Sequence, residues 1–119
     1  MIINKRTTGS EYENLSCEYL NKNGLKILER NFRCRIGEID IIAKDGDYYV
    51  FIEVKYRLSD EKGSPTEAVD LRKQKKICKV CDYYRLINSL GEFTPVRFDV
   101  ISVTGSEITW YKNAFEYIR

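Results

Sequence analysis

A chain of 119 residues, 43% hydrophobic and 32% charged, is long enough to bury a core and too evenly mixed for a disordered or fibrous protein. The net charge of +2 argues neither for nor against a polyanionic partner, and the lack of histidine removes every mechanism that needs an imidazole base or ligand. No apolar run nears the roughly 20 residues of a membrane helix, and residues 1–10 lack the apolar stretch of a secretory leader. The expectation is one cytoplasmic domain over 1–119, away from membranes. Its cysteines, Cys17, Cys34, Cys78 and Cys81, are then expected as free thiols. Cys78 and Cys81 form a C-x-x-C, but inside a helical pattern and without a second pair at zinc-site spacing.

A first helix is predicted from about Thr8, where Thr8 and Glu11 stand at capping-box spacing. Tyr12, Leu15, Tyr19 and Leu20 give it an apolar stripe, and Asn23-Gly24 supplies a stop. Strands follow over 25–29, 36–43 and 47–56, the last two joined by a turn at Asp45-Gly46. Residues 59–63 read as a polar loop. Ser64, Pro65, Thr66 and Glu67 combine a capping box with proline at the first helical position and predict a second helix from there to about Ser89. Its apolar positions are Val69, Ile77, Val80, Cys81, Tyr84 and Ile87, and Gly91 is expected to end it. A fourth strand over 95–103, a fifth over 108–111 and a short helix over 113–118 complete the chain. The order αβββαβ with a β extension predicts an α/β fold, a mixed sheet flanked by helices, with strands three and four as the parallel pair.

Chemistry concentrates on the hairpin. Glu53 and Lys55, two apart on a strand, share a face, while Val54 points the other way. If the hairpin brings Asp40 alongside, two carboxylates and an ammonium converge. Two carboxylates about 4 Å apart repel by about 4 kcal/mol at an effective dielectric near 20. A shared proton, a cationic partner or a metal relieves that repulsion. A divalent ion, Mg²⁺ or Mn²⁺ on all-oxygen ligands, would polarise a phosphoryl oxygen and activate water, with Lys55 stabilising the charge that develops. The Val54 carbonyl is a further candidate ligand. A third acid from the first helix comes from Glu11, Glu13 or Glu18, among which helical phase does not choose. A solvated strand face with a cross-strand ion pair would use the same residue types. The apolar neighbours Ile39, Ile41 and Ile42, and those over 50–54, argue against it, since acids in strands buried on both faces usually have a task.

The second helix carries Arg72, Lys73, Lys75, Lys76 and Lys79 within nine residues, with Gln74 among them. Arg33 and Arg35 add to the basic side ahead of the hairpin. Such clusters suit a phosphate backbone through counterion release, although lysines on a solvated helix face look the same in sequence.

Asp40, twelve residues, then Glu53-Val54-Lys55 resembles the D-x(n)-E-x-K signature of the PD-(D/E)XK nuclease superfamily, whose core has the same αβββαβ order. The chain is similar over nearly its whole length to the YraN-type family of small bacterial proteins. It carries that family's segments as LERNFRCR (28–35), GEID (37–40), FIEVK (51–55), KQ (73–74), RFDV (97–100) and NAF (113–115). The resemblance implies a restriction-endonuclease-like fold similar to archaeal Holliday junction resolvases. It implies metal ligation by Glu13, Asp40 and Glu53, assistance from Lys55, and a supporting role for Gln74. Glu38, in the GEID segment, becomes a further acid near the ion. Tyr12 stands where the family usually has glycine before the helix-one acid. The expected activity is metal-dependent cleavage of DNA, on branched or damaged forms, and a homodimer would be needed to cut two strands. The alternatives are a non-catalytic nucleic-acid-binding module and an interaction subunit of a DNA-processing complex.

Overall fold

The structure, a computed structural model, describes residues 5–57 and 69–119. The expected loop at 59–63 and Ser64, Pro65, Thr66 and Glu67 lie outside the described residues, but the second helix does not run unbroken from there: it begins at Leu71, with Asp70 as its N-cap and Val69 ahead of it. Five strands form one mixed sheet in sequential order: β1 (Lys26–Arg33), β2 (Glu38–Asp45), β3 (Tyr48–Arg57), β4 (Val96–Thr104) and β5 (Glu107–Phe115). Helix α1 (Lys5–Lys22) precedes β1, and α2 (Leu71–Ile87) connects β3 to β4. β3 and β4 pair in parallel and every other neighbour is antiparallel. This is the α/β architecture expected from the sequence, compatible with a restriction-endonuclease-like core. No described helix is long and apolar enough to cross a membrane.

Alternation along the strands places the helices on opposite faces. Val50 and Ile52 of β3, with Ile101 and Val103 of β4, pack with Cys17 and Leu20 of α1. Phe51, Phe98 and Val100, from the intervening positions, pack with Ile77, Val80, Cys81 and Tyr84 of α2. Both faces of the central strands are therefore buried. A fully buried aliphatic or Phe side chain contributes about 1.5–3 kcal/mol, so β3 and β4 anchor the molecule. β2 and β3 are joined through Gly46-Asp47, where Gly46 alone has a positive φ, 60°, as the first loop position of a type II′ hairpin requires.

Local chemistry sets the helix ends. Gly24 (φ 92°) follows α1, and the Leu25 N–H donates to the Leu20 carbonyl at 3.0 Å while the Gly24 N–H donates to Asn21, which is a Schellman stop. Thr8 lies inside α1 rather than at its cap. Helix α2 is capped by Asp70, whose carboxylate accepts from the Lys73 N–H at 2.9 Å. Its end falls earlier than the expected stop at Gly91. Ser89 takes the left-handed conformation (φ 55°), and the Leu90 N–H donates to the Arg85 carbonyl. The short helix expected over 113–118 is absent. Asn113, Ala114 and Phe115 extend β5, because Phe115 pairs with Phe98 in the ladder and stacks on its ring, and the Asn113 N–H donates to Asp99 Oδ1.

Candidate functional site

β2 and β3 pair as far as Ile41 and Ile52, and the next residues outward are Asp40 and Glu53. Asp40 also falls at a break in the β1 ladder, between the Arg30–Ile41 and Phe32–Ile39 pairs. Opposite that break stands Asn31, held at a φ of 54°. Ile39 and Ile42 share the α2-side cluster although strict alternation would separate them, so β2 leaves the regular pleat around Asp40. Asp40 consequently reaches across the gap between the strands, and its Oδ2 accepts the Val54 N–H at 2.8 Å.

Asp40 lines two cavities. One, of about 200 Å³, lies on the α2 side with Glu38, Glu53, Lys73 and Lys76. The other, of about 190 Å³, is bounded by Tyr12, Glu13, Val54 and Tyr56, and Tyr12 and Glu13 come from α1. Glu53, 8% exposed, and Lys55 point together as the alternation requires, with Lys55 Nζ 3.5 Å from Glu53 Oε1. Lys73 reaches in from α2 and places its Nζ 2.5 Å from the same oxygen.

The carboxylates thus carry two of the three forms of relief available to them. Two ammonium groups hold Glu53. Burial first, then the Glu53 charge, push the Asp40 carboxyl up to about 7, against the opposing Val54 hydrogen bond; Glu13 and Glu38 raise it further. Burial lowers the Lys55 ammonium, and the neighbouring Lys73 lowers it again, against the pull of Glu53. Burial also works against the charge on Lys73, but the Glu53 contact outweighs it and leaves Lys73 above its ordinary value.

The remaining sequence candidates separate by position. Glu13 shares a cavity with Asp40 and Val54 but not with Glu53. Its Oε1 accepts from Asn31 at 2.9 Å and from Arg30 at 3.3 Å. Gln74 turns back to its own helix start, where Nε2 donates to the Val69 carbonyl at 2.8 Å. Glu38 lines the α2-side cavity and pairs with Arg33 at 2.7 Å. Arg35, Arg72, Lys75, Lys76 and Lys79 are exposed, so α2 presents a basic outer face beside the cavity that Lys76 lines. All four cysteines are free thiols, and burial pushes Cys81 up to about 12, an unreactive state.

Among the described residues, no three Cys, Asp or Glu side chains are grouped to hold an ion by themselves. The donor set is still suited to a hard divalent cation: two carboxylates, Asp40 and Glu53, line one cavity and offer oxygen ligands. Mg²⁺ is ordinarily held through one or two carboxylates and keeps several waters. The Lys55 and Lys73 ammonium groups beside Glu53 Oε1 stand where such an ion would have to approach that oxygen.

Asn31 and the Tyr12–Tyr56 pair went unnoticed in the sequence. For Asn31 a signal existed, since asparagine is depleted in strands and tolerates the left-handed region better than other residues with side chains. Asp99 is a second buried acid, and its role is structural. Arg97 grips it through two hydrogen bonds of 2.9 Å, and Trp110 Nε1 and the Asn113 N–H complete its shell. Arg97 also reaches Asp45 at 3.0 Å, next to the β2–β3 turn.

Comparison with known proteins places the chain. A UPF0102 protein of Lachnoclostridium phytofermentans is 48% identical over 96% of this chain and 97% of its own length. One from Thermodesulfovibrio yellowstonii is 51% identical over 90% of this chain and 94% of its own. Pyrococcus furiosus SfsA, solved in complex with Ca²⁺, shows a loose structural likeness, with a TM-score of 0.39 at 16% identity. That match covers 93% of this chain and 64% of SfsA. Residues 12–103, from Tyr12 of the α1-side cavity through the last strand of the parallel pair, match the uncharacterised protein family UPF0102, and the chain belongs to that family.

Proposed function

We propose that the protein is a divalent-metal-dependent nuclease that hydrolyses phosphodiester bonds in DNA, with branched or damaged forms as substrates. The observation that carries this reading is that Asp40 and Glu53 line one cavity where β2 and β3 part, with Lys55 3.5 Å from Glu53 and a basic helix alongside. Asp40, Glu53 and the Val54 carbonyl would hold Mg²⁺ or Mn²⁺, and Glu13 approaches Asp40 from the α1 side. The ion would supply Lewis acidity at the phosphate and at an attacking water.

The chain's own groups do the rest. Lys55, a partly buried donor, stabilises negative charge developing on the phosphoryl oxygens. Lys73 and Lys76 line the space that a phosphate would enter, and Arg72, Lys75 and Lys79 extend the positive surface along the backbone. Asp40 gives up its proton near neutrality, so ligation by it favours the alkaline side of 7.

A second reading, a non-catalytic nucleic-acid-binding module, has one observation in its favour. No buried side-chain polar atom among the described residues lacks a hydrogen-bond partner, so the acids are satisfied by protein groups alone. Cleavage of supercoiled, linear and four-way-junction DNA with Mg²⁺ or Mn²⁺ separates the two. The nuclease reading expects cutting that Glu53→Ala and Lys55→Ala each abolish. Wild type and both variants behaving alike would sink it, and chelator-insensitive binding without cutting would establish the second.

A further inference from the structure

The α1-side cavity has a wall that hydrolysis does not use. Tyr12 and Tyr56 stack face to face, ring centroids 4.0 Å apart and planes 16° from parallel. Aromatic pairs held only by packing prefer offset or edge-on arrangements at 4.5–7 Å. The other ring pairs among the described residues lie between 5.1 and 6.5 Å. A core pair would also bury both rings, whereas Tyr56 is 41% exposed. The two stacked rings form a flat, partly exposed surface beside Asp40.

We propose that this cavity binds an unpaired nucleobase, stacked against the Tyr12–Tyr56 pair, from a nucleotide adjacent to the phosphate in the α2-side cavity. The inference rests on the nuclease reading and gives it a substrate class: nucleic acid with at least one unpaired base at the cut. Three observations support it. Asp40 lines both cavities, one on each side of the point where β2 and β3 part, so a phosphate in one and a base in the other can belong to neighbouring nucleotides of one strand. A volume of about 190 Å³ is below the roughly 300 Å³ at which cavities begin to take drug-sized ligands, and suits one ring system. The contacts of Glu13 with Arg30 and Asn31 both fall on Oε1, which leaves Oε2 to accept from an exocyclic base amine. A base paired within a duplex has its polar edge and both faces engaged, and must leave the stack to reach such a wall.

The test is equilibrium binding of DNA oligomers carrying 2-aminopurine, measured in EDTA and again in Ca²⁺. One set has the fluorophore in a single-stranded gap or flap, and the other has it paired within a blunt duplex of equal length. The proposal expects quenching only of the unpaired fluorophore, and a preference for the gapped or flapped DNA of roughly fivefold or more, the lower range of base–aromatic stacking. Tyr56→Leu should lose both the quenching and the preference, while Tyr56→Phe keeps both. Tyr12→Leu, on the helix side of the pair, serves if Tyr56→Leu fails to fold by circular dichroism. Quenching and preference that survive loss of the ring overturn the proposal, as does a wild type that binds both sets equally. If Tyr56→Leu changes nothing while Glu53→Ala abolishes cutting, the base site falls and the nuclease reading stands. If quenching depends on Tyr56 but no DNA is cut, the base site stands and the nuclease reading falls.

Discussion

Lys73→Met removes the ammonium that closes the α2-side cavity. Lys73 Nζ lies 2.5 Å from Glu53 Oε1, the oxygen that Lys55 also approaches at 3.5 Å. A cation seated on that oxygen must first displace Lys73. A hydrogen bond between charged groups contributes about 1.5–3 kcal/mol, and the lower end applies here because the Lys73 side chain is 41% exposed and water screens it. Each 1.4 kcal/mol is a factor of ten in affinity, so Lys73→Met should bind Mn²⁺ about tenfold more tightly than wild type. Lys76→Met is the control. It loses the same charge from the same cavity without freeing Glu53, and should change affinity less than about threefold. Isothermal titration with Mn²⁺ at pH 7.5 and low salt reads both. Equal gains in the two variants would show that Lys73 acts through general charge alone, and no gain in either would refute the displacement argument.

Asp40 makes stability depend on pH in a direction opposite to that of a salt-bridged acid. Its folded-state pKa of about 7 lies above the unfolded value near 4, so the folded chain keeps a proton that the unfolded chain has lost. In EDTA this group should cost up to about 4 kcal/mol as pH rises from 4 to 7, at about 1.4 kcal/mol per pKa unit, and Asp40→Asn should remove that slope in urea titrations. A wild type and variant with parallel pH profiles would contradict it. Asp99→Ala takes two hydrogen bonds from the Arg97 guanidinium, only 15% exposed, and leaves it Asp45 alone, so it should destabilise by about 3 kcal/mol, the lower end for breaking a buried pair, in chemical denaturation. Gln74→Ala should cost about 1 kcal/mol of stability and leave cleavage unchanged, because its amide is spent on Val69. A tenfold loss of cleavage rate at unchanged stability would return Gln74 to the chemistry.

Features set by nearest neighbours were legible in the sequence. Strand alternation put Glu53 and Lys55 on one face and Val54 on the other. Asn23-Gly24 ended α1, and Asp45-Gly46 marked the hairpin. The parallel pairing of β3 and β4 followed from the helix between them. Residues 113–118 by themselves suit a short helix, but β4 offers Phe98 and Asp99 as partners that make Asn113 and Phe115 a strand.

Tertiary structure decided what each group in the site touches. The sequence by itself determined that an acid and an acid-x-lysine lie on adjacent strands, since backbone geometry makes alternation obligatory. It could not tell that the strands part at Asp40, that Lys73 rather than Gln74 turns toward Glu53, or that Glu13 faces a different cavity from Glu53. Those outcomes depend on where helices separated by tens of residues come to rest against the sheet. Contacts at that range are settled by packing and desolvation of the whole core, which no local pattern records.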